Sequence, residues 1–290
     1  MTHAKNYFVL LLLTLCCAAP LLGADGPSPV SYQHIIRHDP NMSIYLVTID
    51  LTSPKVSLHV CRAGPQPKSG HWVTTLLPPS EIAARDGYDI AINGDFFDAD
   101  KTVDAEGKKS GYVKGKLAAP EGPAMTDGKL WVTNSTTRPA LEIDRHDHII
   151  ITTVKSHAHL PSSIKQAVGG NPIILVNGKK TELAGRFATA RHPRTAVGVS
   201  QDGTKLILLV VDGRQPDLSI GMTLSEVADE MLKAGCNTAI NLDGGGSSVL
   251  VMRDPATGKL RVMNSPSDTR ERAVADVLCV KVKGPMPKLP

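Results

Sequence analysis

Aromatic side chains are scarce in this chain of 290 residues, which has 2 Trp, 5 Tyr and 4 Phe. Faces that only recognise sugars lean on stacked Trp and Tyr rings, so the scarcity weighs against a pure carbohydrate-binding module. Trp72 and Trp131 read as core. An excess of one charge is absent too, with 32 Lys plus Arg against 28 Asp plus Glu, interspersed along the chain. A nucleic-acid binder needs a basic stripe to neutralise phosphates, and none is visible. Cysteine is sparse, and of the 5 present only Cys61, Cys236 and Cys279 lie beyond the first 24 residues. That odd, widely spaced set is neither a disulfide framework nor a metal-ligand pattern. Buried free thiols are the reading, with one disulfide the alternative. Long apolar runs are missing as well: Phe8 to Leu15 falls short of the roughly 20 residues a membrane span needs, so no transmembrane segment is expected in the mature chain.

What that run does resemble is an export signal. Lys5 precedes it, and the small residues Ala18, Ala19, Gly23 and Ala24 follow, the order a secretory signal requires. The expectation is a signal peptide over residues 1–24, cleaved after Ala24, and a secreted or periplasmic protein. Leu15 stands where a small residue should precede a lipidated cysteine, which argues against Cys16 as a lipid anchor. Residues 25–290 are enough for one large domain with a sizeable core.

Strand-like runs dominate that domain: Ile44 to Ile49, Val56 to Val60, Tyr88 to Ile92, Leu130 to Val132, Ile149 to Thr153, Ile173 to Val176, Thr195 to Val199, Leu206 to Val211, Thr238 to Leu242, Ser248 to Met252 and Val274 to Val282. Asp202-Gly203 between two of them signals a hairpin. Helices are few. Thr223 and Glu226 have capping-box spacing at the head of a helix reaching about Ala234, whose Leu224, Val227, Ala228, Met231 and Leu232 form one apolar stripe. A shorter helix follows Ser80 and ends at Gly87. The segment Asp98 to Glu121 reads as a long surface loop, and the Pro-rich tail after Lys283 as too short to pack. The expected fold class is α+β: a strand-rich single domain with a mixed, twisted β-sheet core and a few helices.

Three apolar strands run into an acid beside glycine, at Asn93-Gly94-Asp95, Asp212-Gly213-Arg214 and Asp243-Gly244-Gly245-Gly246. Where strands run parallel, residues just past their ends gather at one edge, so Asp95, Asp212 and Asp243 are expected to converge. Taken singly, each pair is a common turn, and shaping a turn is the plainer reading. The third copy has more glycine than a turn needs: Asn241 to Ser248 places Gly244, Gly245 and Gly246 before Ser247 and Ser248. Such a bend lets backbone approach a ligand and can aim successive NH groups at an anion. No Lys follows the glycines and no helix opens there, so it is not a Walker loop. Arg191, His192 and Arg194 cluster before one strand and Arg214 follows Asp212; arginine forks suit phosphate oxygens, surface salt bridges being the alternative. Asn264 to Ser267, with Arg270 and Arg272 beyond, is a further polar turn.

Together, Asn93 to Phe97, Gly169-Gly170 to Asn177-Gly178, Arg194 to Gly198, Asp212 to Arg214, Gly221 to Leu224, Asn241 to Ser248, and Asn264 to Asp268 with Arg272 resemble the phosphodiester glycosidase family, in order, from about Gly87 to Val282. The resemblance implies hydrolysis of a sugar-1-phosphodiester on a phosphoglycan or other glycoconjugate, with no cofactor required. Asp243 is then the first candidate for nucleophile or base, and Asp95 and Asp212 for the second carboxylate or for binding sugar hydroxyls. Asn93, Arg194, Arg214, Asn241, Gly244, Gly245, Gly246, Ser247, Ser248, Asn264 and Arg272 are the candidate substrate-binding residues, with Arg194, Arg214 and the NH groups of Gly245, Gly246 and Ser247 on the phosphate. Two alternatives stay open: a metal-dependent phosphodiesterase whose Asp95, Asp212 and Asp243 hold a divalent cation, and a secreted carbohydrate-binding protein without catalysis.

Overall fold

The structure is a computed structural model that describes residues 27–68, 70–100, 111–133 and 135–290. The expected signal peptide with Cys16, and the middle of the expected 98–121 loop, lie outside the described residues.

Alternating apolar residues build the main sheet. Leu206, Leu208 and Val210 point to one face and Ile207, Leu209 and Val211 to the other, the two-residue period of a pleated strand, and all six are buried. Strand Lys205–Val211 therefore lies inside a sheet covered on both sides. Its sheet has seven strands in the order Val30–His38, Asn41–Asp50, Lys205–Val211, Arg194–Ser200, Cys236–Asn241, Ile173–Val176 and Lys179–Lys180. A five-stranded sheet, ordered Leu260–Val262, Leu250–Arg253, Ile90–Asn93, Asp276–Val282 and Val56–Arg62, packs on one face; Val197, Leu208 and Ile240 of the first meet Ile92, Leu250 and Leu278 of the second in one cluster. Helix Leu224–Lys233 covers the far face of the first sheet and helix Pro79–Asp86 that of the second. A further five-stranded sheet adds Leu141, Ile143 and Val168 to the shared core, and a three-stranded one flanks the assembly.

Every pairing ladder among the described residues is antiparallel, so the mixed sheet expected from the sequence does not form, and the fold is mostly β rather than α+β. Parallel neighbours need a crossover of a dozen residues or more. The crossover through helix Leu224–Lys233 joins strands Lys205–Val211 and Cys236–Asn241, and these lie two places apart with Arg194–Ser200 between them. Within the expected 98–121 loop, Phe97–Ala99 and Leu117–Pro120 pair as strands. The Pro-rich tail also packs: Met286 and Leu289 rest on the core, where prolines have less freedom to lose than other residues. Neither tryptophan is fully buried, and Trp131 lies at the surface beneath Arg62. Cys61, Cys236 and Cys279 are buried free thiols.

The helix cap forms as its spacing predicts: Thr223 Oγ1 accepts from Glu226 N at 3.2 Å, and Glu226 Oε2 accepts from Thr223 N at 2.9 Å. Thr223→Ala is expected to lower stability by about 1 kcal/mol in a denaturant titration. A midpoint within error of the parent would mean that packing of the apolar stripe, not the cap, sets where this helix begins.

Candidate active site

Because they flank one antiparallel strand, Lys205–Val211 and Cys236–Asn241 run in the same direction and end at the same edge of the sheet. Arg194 opens the intervening strand at that edge, opposite Val211. The strand Ile90–Asn93 of the facing sheet arrives there too, and Gly94 O accepts from Asp243 N at 3.0 Å. Fully buried Asn93 clasps the parts together: its Nδ2 donates to Asp243 O at 2.7 Å, and its Oδ1 accepts from Thr195 Oγ1 at 2.7 Å and Val249 N at 3.2 Å. Alternate strands of an antiparallel sheet thus do here what parallel strands would do elsewhere. Asn264 extends the clasp, donating from Nδ2 to both Asp212 Oδ1 and Ser248 O at 3.0 Å.

The glycines of the turn are fixed by what lies over them. Gly245 takes φ +63°, and a Cβ there would stand 2.9 Å from the Arg214 guanidinium; a methyl on Gly246 would collide with Arg272 and Asp268. A Cβ on Gly244 would come within 2.8 Å of Pro193 O. One expectation is corrected: the NH groups of Gly245 and Ser247 are not aimed outward at an anion. Gly245 N donates to Pro193 O at 2.9 Å and Ser247 N to Gly244 O at 3.2 Å, because the bend closes into a short 3-10 turn over Gly245–Ser247.

The aspartates differ in access. Asp95 is 2 % exposed, Asp212 1 % and Asp276 0 %, whereas Asp243, though enclosed by protein, keeps accessible surface. Burial pushes the Asp243 carboxyl up to about 6, against the opposing pull of the Ser247 hydroxyl, the Gly244 NH, Arg272 and Arg214. Asp95 lies between Gly122 and Gly169, accepts from Gly122 N at 2.5 Å, and is held well above the usual carboxylate range by burial and then by Asp276. Asp212 Oδ1 accepts from Asn264 Nδ2 at 3.0 Å and Ser265 N at 2.9 Å, which opposes the upward push of burial. It pins the 264–265 turn.

The arginines divide similarly. Arg194 is 1 % exposed, with Nε donating to Met222 O at 3.0 Å and Nη2 to Phe187 O and Ala190 O at 2.7 and 2.8 Å. Burial, then the Arg214 charge, brings its pKa down to about 10. Arg214 is exposed at φ +60° and makes no hydrogen bond or ion pair among the described residues. Arg272 pairs with Asp268 at 2.9 Å and lies 4.6 Å from the Tyr112 ring centre. Arg191 is bound to Glu226, which matches the salt-bridge alternative. Asn241 Nδ2 donates to Asn171 O and Leu242 O, leaving Oδ1 without a partner.

Buried side-chain polar atoms without a partner are rare in folded proteins. Among the described residues they are Asp95 Oδ1, His192 Nδ1, Asp212 Oδ2, Asn241 Oδ1, Ser247 Oγ, Ser248 Oγ, Ser267 Oγ and Asp276 Oδ2, all on the segments that meet at this edge. Asp276 was not among the residues singled out from the sequence. Its signal was there, an acid set inside the apolar strand Val274 to Val282. His192, read only as part of a basic cluster, has its imidazole held below the usual range by burial and then by the charges of Arg194, Arg214 and Arg186. No group of three or more His, Cys, Asp or Glu among the described residues is placed to hold a metal ion.

Comparison with known proteins gives the same region. The chain is 40% identical over 90 residues to a Bacillus subtilis SPbeta prophage-derived uncharacterized protein, YomE, an alignment over 31% of this chain and 13% of that protein. It is 36% identical over 109 residues to the bovine N-acetylglucosamine-1-phosphodiester alpha-N-acetylglucosaminidase, over 35% of this chain and 19% of that protein. These matches span less than a fifth of either relative's length. The zebrafish N-acetylglucosamine-1-phosphodiester alpha-N-acetylglucosaminidase catalytic domain, auto-inhibited by its pro-peptide, shares the fold at 23% identity and TM-score 0.61, covering 88% of this chain and 82% of that one. A family model for phosphodiester glycosidases matches residues 86–281, a stretch that contains Asn93, both basic strand ends, the Gly-rich turn and Asp276, and the chain belongs to that family.

Proposed function

We propose that the protein is an exported hydrolase that cleaves a sugar-1-phosphodiester, such as an α-GlcNAc-1-phosphate diester, to free sugar and a phosphomonoester. The observation that carries this reading is Asp243: of the four aspartates at this edge it is the one whose residue keeps accessible surface, and the Arg214 guanidinium, unpaired among the described residues, lies against its glycine turn. Asp243 attacks the anomeric carbon to form a glycosyl ester that water then hydrolyses, or takes a proton from a water that attacks the carbon directly. The anomeric C–O bond breaks, and its electron pair leaves on the phosphate oxygen. That oxygen is a better leaving group than a sugar alcohol, so it needs less help from a general acid. Arg214 and Arg272 face the charge that develops there. The reaction needs no cofactor. Export is supported by the pattern of residues 1–24, and no helix among the described residues is long and apolar enough to cross a membrane.

The test is hydrolysis of a GlcNAc-1-phosphodiester in ¹⁸O-labelled water. The expected products are GlcNAc carrying the label and an unlabelled phosphomonoester of the aglycone. Label in the phosphate, or release of GlcNAc-1-phosphate, would mean that the P–O bond breaks and would establish the phosphodiesterase alternative instead.

A further inference from the structure

Three carboxyl groups form a buried series at this edge: Asp243 on its turn, Asp276 at the start of the strand Asp276–Val282, and Asp95 just past the strand Ile90–Asn93. The backbone holds them together. Asp276 Oδ1 accepts from Asp95 N at 2.9 Å, Asp276 O accepts from Gly94 N at 3.0 Å, and Gly94 O accepts from Asp243 N. Gly94 has no Cβ because one would collide with the Asp276 carboxyl. Cations serve the ends of the series and not its middle. Arg272 and Arg214 act on Asp243, and Arg138 acts on Asp95. Arg62, opposite Asp276 in the ladder, turns its guanidinium to Gln66 and the Trp131 ring. Asp276 Oδ2 and Asp95 Oδ1 are both buried and lack partners.

Three negative charges cannot share so dry a space with the middle one uncompensated. We propose that Asp95 and Asp276 share one proton behind Asp243, and that Asp276 is a positioning residue which, through this pair, leaves Asp243 as the carboxylate that ionises for the reaction. The role in turnover rests on the glycosidase reading above; the shared proton does not. Two like-charged acids at close quarters titrate as one unit, so the proton belongs to the pair. The direction agrees: burial first, and then the neighbouring carboxylates, raise both groups, Asp276 to about 7. An acid whose folded pKa lies above its unfolded one holds more protons when folded, so its contribution to stability fades as pH rises from about 4 through 7.

Asp276→Asn tests the pair, because the amide keeps the shape, does not titrate and can donate to Asp95. Its melting temperature relative to the parent is expected to climb steadily between about pH 4 and 8. Infrared spectra at about pH 6.5, where ordinary carboxyls are ionised, should show a protonated-carboxyl band in the parent that is lost in Asp276→Asn and kept in Asp243→Asn. In turnover the parent should lose about tenfold at alkaline pH as the pair deprotonates, and Asp276→Asn less than about twofold. A flat melting difference, or a carboxyl band that survives in Asp276→Asn, would overturn the shared proton. A band lost in Asp276→Asn together with identical pH–rate profiles would leave the pair but remove Asp276 from the reaction. Should Asp276→Asn not fold, loss of the band in Asp95→Asn against its persistence in Asp243→Asn decides the same question.

Discussion

Asp243→Asn is expected to lose at least about 100-fold in kcat toward a sugar-1-phosphodiester while folding normally. The amide is isosteric and preserves what the backbone of this residue does, since the bonds from Asn93 Nδ2 to Asp243 O and from Asp243 N to Gly94 O do not involve its side chain. What it removes is the carboxyl of the one residue among these four aspartates that keeps accessible surface. The pH dependence adds a second check. With its carboxyl raised to about 6, Asp243 is ionised above that value and protonated below it, so parental kcat/KM should fall as pH drops through about 6. The stability trend has the opposite sense: a raised carboxyl favours the folded state at low pH and less so as pH rises, so Asp243→Asn should gain in melting temperature over the parent between about pH 4 and 7. A variant with parental kcat would make Asp243 a turn former. A variant that is inactive but melts far below the parent at every pH would show that the side chain holds the turn, and the catalytic role would then pass to another carboxyl.

Much of this edge was legible as sequence because its signals are local. The strand–acid–glycine pattern at Asp95, Asp212 and Asp243 marks chain ends that do meet, and the Thr223–Glu226 spacing marks a cap that does form. What the sequence did not carry was which strand lies between which. The convergence was expected from parallel neighbours, and it arises instead from Arg194–Ser200 lying between two strands of like direction, a long-range pairing that leaves no mark on any of the three segments. Access was hidden for the same reason. Asp95 and Asp243 look alike in sequence, but Gly122 and Gly169, far along the chain, close over one and not the other. Glycine richness at 244–246 was read as room for an anion, whereas the room is taken by Arg214, Arg272 and Asp268. Strand Ile164–Gly169, which puts Gly169 against Asp95, was overlooked because its Lys165 and Gln166 break the apolar run.

The same distinction between reachable and enclosed separates the two arginines, which sequence alone treats as equals. Arg214 is exposed, has no hydrogen-bond or ion-pair partner among the described residues and lies against Gly245, so Arg214→Ala leaves the fold alone and removes contacts to a ligand together with a charge near Asp243. A charge-assisted hydrogen bond contributes about 1.5–3 kcal/mol, so kcat/KM toward the phosphodiester should fall about 10- to 150-fold. An uncharged aryl glycoside of the same sugar should lose far less, because its leaving group carries no phosphate for the guanidinium to meet. Melting should be unchanged, since alanine inherits the left-handed backbone at φ +60° that arginine already bears. The acid limb of the profile should move up slightly, because Arg214 is one of the charges that hold Asp243 down. Arg194→Ala behaves differently. Its guanidinium carries the carbonyls of Phe187, Ala190 and Met222 and packs 5.0 Å from the Phe187 ring centre, so removing it leaves a void and takes the donor from the buried Met222 O and from the part-buried Phe187 O and Ala190 O. The expected loss is about 3 kcal/mol or more of stability, read as a lower denaturation midpoint, with activity falling equally on charged and uncharged substrates. If Arg194→Ala instead melts like the parent and loses activity on the diester alone, the buried arginine is the phosphate ligand and Arg214 is a bystander.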